Sequence, residues 1–418
     1  MKKFKLVIVF LVLFLLYKII SPFIIIEHKV ASISKEKWIK DVEYLEKNLP
    51  KKHKNLFFSL EETEYKNLTK KLKEDIKALS ESEIKIRILE IIAKVGDSHT
   101  TVKNYKPSSE YPIKLYWFKE GLYITEVDSE YKELLGCKVI KINDVNIEDI
   151  VKSITTLVPH ENQYWLKYKI VDYINNPEIL KYFKIIEGET AKLSVETIEG
   201  RVFEKEILPK DKVNSNELVL LENNLKEKPL YMRTKESFWS NYISDEATLY
   251  IQINSCTPVK GKSVDSLVEN TLKQWENEKI NKLIIDLRNN TGGVYMGKSK
   301  SFVSNLSKMK NINEKGKLFI ITGRKTFSSA INYSLDFKND TNGLFYGEPT
   351  GGKPSHYGDV RNFTLPNSKL NISYSTKYFE STIEENTLMP DYLIEPSIKD
   401  YVNGIDPVIE EVLKSKNK

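Results

Sequence analysis

The sequence predicts a multidomain α/β protein, on three observations. Residues 35–95 place apolar side chains at three- and four-residue steps, the period of helices buried on one face. From about 103 to 207 the texture changes to short alternating runs bounded by turn residues, a small β region. Residues 246–418 alternate apolar runs with helical stretches, which implies right-handed crossovers and a largely parallel sheet with flanking helices.

The first segment, 1–27, stands apart. In "MKKFKLVIVFLVLFLLYKIISPFIII", Lys2, Lys3 and Lys5 precede an apolar stretch from Leu6 to Ile26 that is long enough to span a bilayer, although Lys18 and Pro22 interrupt it. A removed signal peptide is the competing reading, but Val30-Ala31-Ser32 is a weak cleavage site beyond the charged Glu27-His28-Lys29. We expect a single-pass anchor in the cell membrane, positive flank inside, with the chain from about residue 30 extracytoplasmic. Cleavage would instead make the protein secreted.

Residues 28–102 form the expected helical region. "KEKWIKDVEYLEKNL", "EETEYKNLTKKLKEDIKAL" and "ESEIKIRILEIIAKV" are its helices; Ser80 caps the third, which ends before Gly96 and runs into "GDSHTTV". Residues 103–245 hold the strands "IKLYWF", "GLYITEV" and "KVIKIN", then two helical stretches across 160–187. A hairpin, "KLSVETIEGRVFEKEIL", turns at Glu199-Gly200, and the polar stretch from about 208 to 245 reads as linker and loop. From 246 onward come the strand "TLYIQIN", the helix "TLKQWENEK", the buried run "KLIIDLR", the turn "NNTGG" and a helix across 295–309. "KLFIITG", a helix through "AINYSLDFK", the strand "GLFYGEP" and the turn "TGGK" follow.

Composition excludes several classes of function. The 418 residues carry a net charge of +6 with Lys and Glu finely interspersed, and arginine is scarce, so nothing suggests a nucleic-acid partner. Cys137 and Cys256 lie far apart in apolar or strand-like segments, and no CxxC or Cys/His cluster exists. Buried free thiols are expected, with no metal and no organic cofactor.

In a parallel sheet, ligands gather beyond the carboxyl ends of the strands. Three turns fall on that edge: Thr291-Gly292-Gly293, Ser328-Ser329 and Gly351-Gly352-Lys353. Paired glycines let backbone N–H groups approach a ligand. A serine at a strand-to-helix junction presents its hydroxyl at a helix N-terminus, and a desolvated lysine can act as a base. Together they outline acyl transfer. Each also has a plain structural use, since serines cap helices and most turn lysines are simply solvated.

At these residues the chain resembles a family. "LIIDLRNNTGG", "TFSSA", "GEPTGGK", "AKVGDSHTTV" and the ending "MPDYLIEPSIKDYVNGIDPVIEEVL" look like the S41 peptidases, the C-terminal-processing and tricorn-like serine proteases, in order from about residue 40 to the carboxyl end. The resemblance implies a protease core over 246–418 with Ser328 as nucleophile, 25 residues before Lys353. Ile331 stands where the family usually has an acidic residue. Backbone N–H groups of Ser329 and of Gly292 or Gly293 are the implied oxyanion donors. One branch of the family would make Lys353 the base, but it carries a glutamine where this chain has Tyr357. The tricorn-like branch uses a histidine preceded by a serine and supported by a distant glutamate. Ser98-His99 looks like that pair, with Glu384, or adjacent Glu385, as the glutamate. Imidazole titrates near neutral pH whereas lysine needs strong desolvation, so the expected pair is Ser328–His99, with Lys353 as runner-up or positioning cation. His356 is expected in a loop, and His28, His53 and His160 show no comparable context.

"LLGCKVIKINDVNIEDIV" resembles half of a PDZ-like domain; a small β-domain that merely packs on the core is the alternative. The expectation is a membrane-anchored serine endopeptidase cleaving exported proteins or peptides. A catalytically degenerate, peptide-binding relative is the rival.

Overall fold

Three helices open the described chain, each for reasons visible in its sequence. Helix α1 (Lys35–Lys52) starts at Ser34, whose hydroxyl accepts from the Lys37 N–H, and buries Trp38, Val42, Leu45 and Leu49 along one face. Helix α2 (Glu62–Asp75) buries Tyr65, Thr69 and Leu72. Helix α3 (Glu81–Ala93) begins with a reciprocal capping box between Ser80 and Glu83 and buries Ile84, Ile88, Leu89 and Ile92. Gly96, at φ +77°, then turns the chain out of the helical region. This computed structural model describes residues 33–211, 213–214, 217–276 and 278–415. The anchor expected over 1–27 lies outside the described residues, and none of the described helices is long and apolar enough to cross a membrane.

The middle of the chain builds a seven-stranded antiparallel sheet. Its path runs β1 (Ile113–Phe118), β2 (Gly121–Val127), β3 (Lys138–Ile142), β5 (Ala191–Glu196), β6 (Val202–Ile207). Strand β4 (Val145–Asn146) pairs with β3, and β7 (Val219–Leu220) pairs with β2. Helices α4 (Ile147–Ile154), α5 (Gln163–Ile174) and α6 (Pro177–Tyr182) sit between β4 and β5.

The carboxyl-terminal part is a six-stranded sheet of order β15-β12-β11-β10-β9-β8. Strands β9 (Thr248–Ile253), β10 (Lys282–Asp286), β11 (Leu318–Thr322), β12 (Leu344–Gly347) and β15 (Tyr392–Leu393) run parallel. Strands β10 and β11 are buried throughout because helices cover the sheet: α7 (Val264–Gln274), α8 (Phe302–Leu306) and α9 (Ser329–Asp340), with α10 (Ile398–Val402) and α11 (Pro407–Lys414) closing the chain. The chain is therefore α/β and multidomain.

Two expectations fail here. The 208–245 stretch is not all linker: β8 (Phe238–Ile243) pairs antiparallel with β9, and Trp239 is buried against Tyr250. Its polar neighbours hide it, because an edge strand is apolar on one side only. The helix expected over 295–309 shrinks to α8, since Gly297 at φ +92° cannot continue a right-handed helix.

A long hairpin, β13 (His356–Thr364) with β14 (Asn371–Phe379), positions the site. The Lys54 N–H donates to Ser375 O (2.9 Å), the Lys103 N–H to Asn371 O (2.8 Å), and the Ser373 N–H to Thr101 O (2.8 Å). These bonds stitch the end of α1 and the "GDSHT" segment onto an element that follows directly from the parallel sheet. The amino-terminal helices and the parallel-sheet core are thereby brought together.

Candidate active site

Ser328 sits between β11 and α9. Thr326 fixes the turn before it: its hydroxyl donates to Leu287 O (2.9 Å) and accepts from the Gly323 N–H (3.0 Å). The Phe327 N–H donates to Asn290 O (3.1 Å). Ser328 itself has φ +56° and ψ −125°, a conformation that costs a non-glycine residue energy and persists only where its surroundings enforce it. Its half-buried side chain stands at the N-terminus of a 12-residue helix, where developing negative charge is favoured.

Against it packs the Gly292-Gly293 turn. A Cβ on Gly292, at φ +109°, would lie 2.6 Å from the Ser328 Cβ, so only glycine allows this approach. The Gly292 N–H donates to Asn290 Oδ1 (2.9 Å) and is already engaged. Gly292 therefore makes room beside Ser328, and of the expected alternatives, Gly292 or Gly293, it is the one whose N–H is occupied. The Ser329 hydroxyl donates to Gly293 O (2.7 Å), while the N–H groups of Gly293 and Ser329 make no hydrogen bond among the described residues.

His99 comes from the loop after α3. Its ring is stacked between Phe327 (centroids 4.3 Å apart) and His356 (5.8 Å), with Trp165 behind Phe327 (3.8 Å) and Phe379 behind His356 (5.2 Å). Four other near-parallel rings thus hold the imidazole in plane, and neither ring nitrogen makes a hydrogen bond among the described residues. Its Nδ1 lies 3.8 Å from Asp97 Oδ1.

Asp97 is fully buried and collects four donors: the His99 N–H (2.9 Å), Thr100 Oγ1 (2.6 Å), Ser375 Oγ (2.7 Å) and His53 Nε2 (3.0 Å). Burial alone would raise its pKa, but the hydrogen bonds from His53 and His99 lead the interactions that hold it well below the usual carboxylate range. The Asn55 N–H donates to His53 Nδ1 (3.1 Å), so the proton of His53 is on Nε2 and points at Asp97. His53, at the end of α1, thus belongs to the site; 44 residues of sequence separate it from Asp97, and no local pattern could have found it. His356 opens a strand and is buried, contrary to the expected loop. Burial, with His99 beside it, lowers its pKa to about 4, so it is neutral at pH 7.

Glu161 is a second residue that the sequence did not mark. Its Oε2 is enclosed and makes no hydrogen bond among the described residues. Burial and then the Asp97 charge push its pKa up to about 8, while the Ser98 hydroxyl and the Lys353 cation pull it partly back. Next to it, Asn162 caps α5 and donates to Gly351 O (3.0 Å) and Asn386 O (2.8 Å), so α5 delivers both Glu161 and Trp165 to the site.

Lys353 is half-buried, and its ammonium makes no hydrogen bond or ion pair among the described residues. Glu384 and Glu385 are exposed in the loop after β14. The two departures from the family pattern have packing reasons. Ile331 fills the space over Gly352, where a Cβ would meet its Cγ1 at 2.3 Å. Tyr357 packs on Phe58 (4.5 Å) and His53 (5.3 Å).

Ser328, His99 and Ser98 line one cleft of about 570 Å³, walled by Phe327, Trp165 and Thr291 and rimmed further out by tyrosines and lysines. Lys353 does not line it. Cys137 and Cys256 are buried free thiols, and no cluster able to hold a metal occurs among the described residues.

Residues 247–394 match the sequence model of Peptidase family S41. No curated protein sequence matches the chain. Among solved structures it is similar to mature CPAF complexed with lactacystin, at TM-score 0.64 and 12% identity over 91% of this chain and 98% of that one. It is also similar to the CPAF s499a mutant, at TM-score 0.62 and 12% identity over 92% and 99%. At such identity the likeness is one of fold.

Proposed function

Residues 247–394 match Peptidase family S41, and from that premise we propose that the chain is a serine endopeptidase acting on exported proteins or peptides, tethered outside the cytoplasm by residues 1–27. Ser328 attacks the scissile carbonyl carbon and passes its proton to His99, which faces the same cleft. The N–H groups of Gly293 and Ser329 receive the oxyanion at the head of α9. His99 returns the proton to the leaving amine, and water repeats the sequence to release the acid. Asp97, 3.8 Å from Nδ1, faces the imidazolium with a fixed negative charge.

The observation that carries this reading is the cleft shared by Ser328, in its enforced φ +56° conformation, and His99. It favours His99 over Lys353 as base, because Lys353 lies outside that cleft. No hydrogen bond joins Ser328 to His99 among the described residues; such contacts commonly tighten when substrate binds. CPAF has been crystallised with lactacystin and as an s499a variant, so a serine variant and a small inhibitor are natural probes here too.

The test is cleavage of an unfolded protein by the full-length chain and by Ser328→Ala. The expected result is cleavage abolished in the variant at unchanged fold. Equal cleavage by both would move the nucleophile elsewhere, and binding without cleavage by either would favour the peptide-binding rival.

A further inference from the structure

We infer that Asn290 is the positioning residue that sets the oxyanion-binding peptide against the nucleophile. The inference rests on the serine-peptidase reading of Ser328. Asn290 is fully buried in the turn after β10. Its N–H donates to Leu287 O (3.0 Å), and its carbonyl accepts from the Phe327 N–H (3.1 Å), the residue before Ser328. Its carboxamide works on the opposite side of the site: Oδ1 accepts from the Gly292 N–H (2.9 Å) and Nδ2 reaches Cys256 Sγ (3.3 Å). One residue therefore holds the nucleophile's turn by its main chain and the glycine turn by its side chain.

The direction of the free donor follows from these bonds. The Cys256 N–H donates to Gly292 O (2.8 Å), so that carbonyl points toward Cys256. In a trans peptide the C=O and the following N–H point opposite ways, so the Gly293 N–H is turned away from Cys256. Gly292 contributes the close face to Ser328, and the Ser329 hydroxyl holds Gly293 O from the helix side (2.7 Å). Asparagine commonly stabilises turns by accepting from the N–H two residues on. Here it is also buried and tied to Phe327, which makes the turn part of the nucleophile's support. The carboxamide anchors the Thr291-Gly292 peptide on one side and, through Cys256 Sγ, the residue whose N–H holds Gly292 O on the other. Without it the Gly292-Gly293 peptide keeps the Cys256 N–H bond as its tether but loses the anchors on either side, and the donor drifts from its position.

The test uses the full chain, as wild type, Asn290→Ala and Asn290→Ser, the last keeping a shorter acceptor and guarding against misfolding of the first. Removing an oxyanion donor typically costs about 10²–10³ in kcat. The expected result for Asn290→Ala is a loss of that size in kcat with KM within about threefold, and partial recovery, at least about tenfold, in Asn290→Ser. Affinity for a peptide boronate, which mimics the tetrahedral adduct, falls by the same factor. Affinity for an uncleaved peptide, measured on a Ser328→Ala background, stays unchanged. A kcat within threefold of wild type, or a loss equally divided with peptide affinity, overturns the inference. If the wild type neither cleaves nor binds the boronate, the serine-peptidase reading fails instead. Amide exchange at Gly292 then still decides the clamp: it accelerates at least about tenfold in Asn290→Ala if the carboxamide holds the turn, and unchanged exchange refutes it.

Discussion

Replacing Asp97 by asparagine tests the buried network that carries His99. Asp97 Oδ1 accepts one donor, the His99 N–H, and Oδ2 accepts three, from His53, Thr100 and Ser375. Asparagine has a single acceptor oxygen. In its better orientation that oxygen replaces Oδ2, which sets its NH2 group against the His99 N–H and leaves both without an acceptor. Each buried orphan costs about 1–3 kcal/mol, and the remaining bonds lose their charge assistance, so we expect Asp97→Asn to cost about 2–5 kcal/mol. That is a large part of a typical stability of about 5–15 kcal/mol. Urea unfolding at pH 7, with equal slopes for the two proteins, reads the difference. The sign with pH is also fixed. Because folding holds the Asp97 pKa below its unfolded value of about 3.9, the wild type keeps this advantage above about pH 4 and loses it as pH falls further, by up to about 1.4 kcal/mol per unit. A cost below about 1 kcal/mol, or a gap between the two proteins that stays constant from pH 7 to 3, would refute the reasoning.

Two other substitutions probe neighbouring features. Glu161 keeps its proton in the folded protein up to about pH 8 and loses it near pH 4.3 when unfolded, so wild-type stability falls as pH rises between those values, by up to about 1.4 kcal/mol per unit. Glu161→Gln removes that slope, and parallel Tm-against-pH curves for the two proteins would sink the assignment. Gly292→Ala places a methyl 2.6 Å from the Ser328 Cβ at φ +109°. We expect about 1–3 kcal/mol of destabilisation and at least a hundredfold loss of kcat, and a wild-type rate would show that the two segments are not in fixed contact.

Local periodicity and end signals determined much of the architecture. Trp38, Val42, Leu45 and Leu49 share a helix face because the helical period puts them there, and Ser80 with Glu83 caps α3 through groups three residues apart. The runs "KLIIDLR" and "KLFIITG" are apolar on both faces because parallel strands are covered on both, and the crossovers then put Gly292, Ser328 and Lys353 at one end of the sheet. Ser328, the glycine turn and His99 could be singled out because each lies in a short motif.

Tertiary structure decided what those motifs meet. The His53–Asp97 bond spans 44 positions, the Ser375–Asp97 bond 278, and Asn162 reaches Gly351 across 189. No helix or strand period extends so far, and a buried hydrogen bond has no signature in the sequence beside either partner. The same holds for Glu161, an ordinary loop glutamate until α5 and the Asp97 charge enclose it, and for His356, which takes its place only when the β13–β14 hairpin folds back over the "GDSHT" segment. Short-range sterics and burial periodicity can be read from neighbouring residues, whereas the polar contacts that set the chemistry form only when distant segments exclude water together.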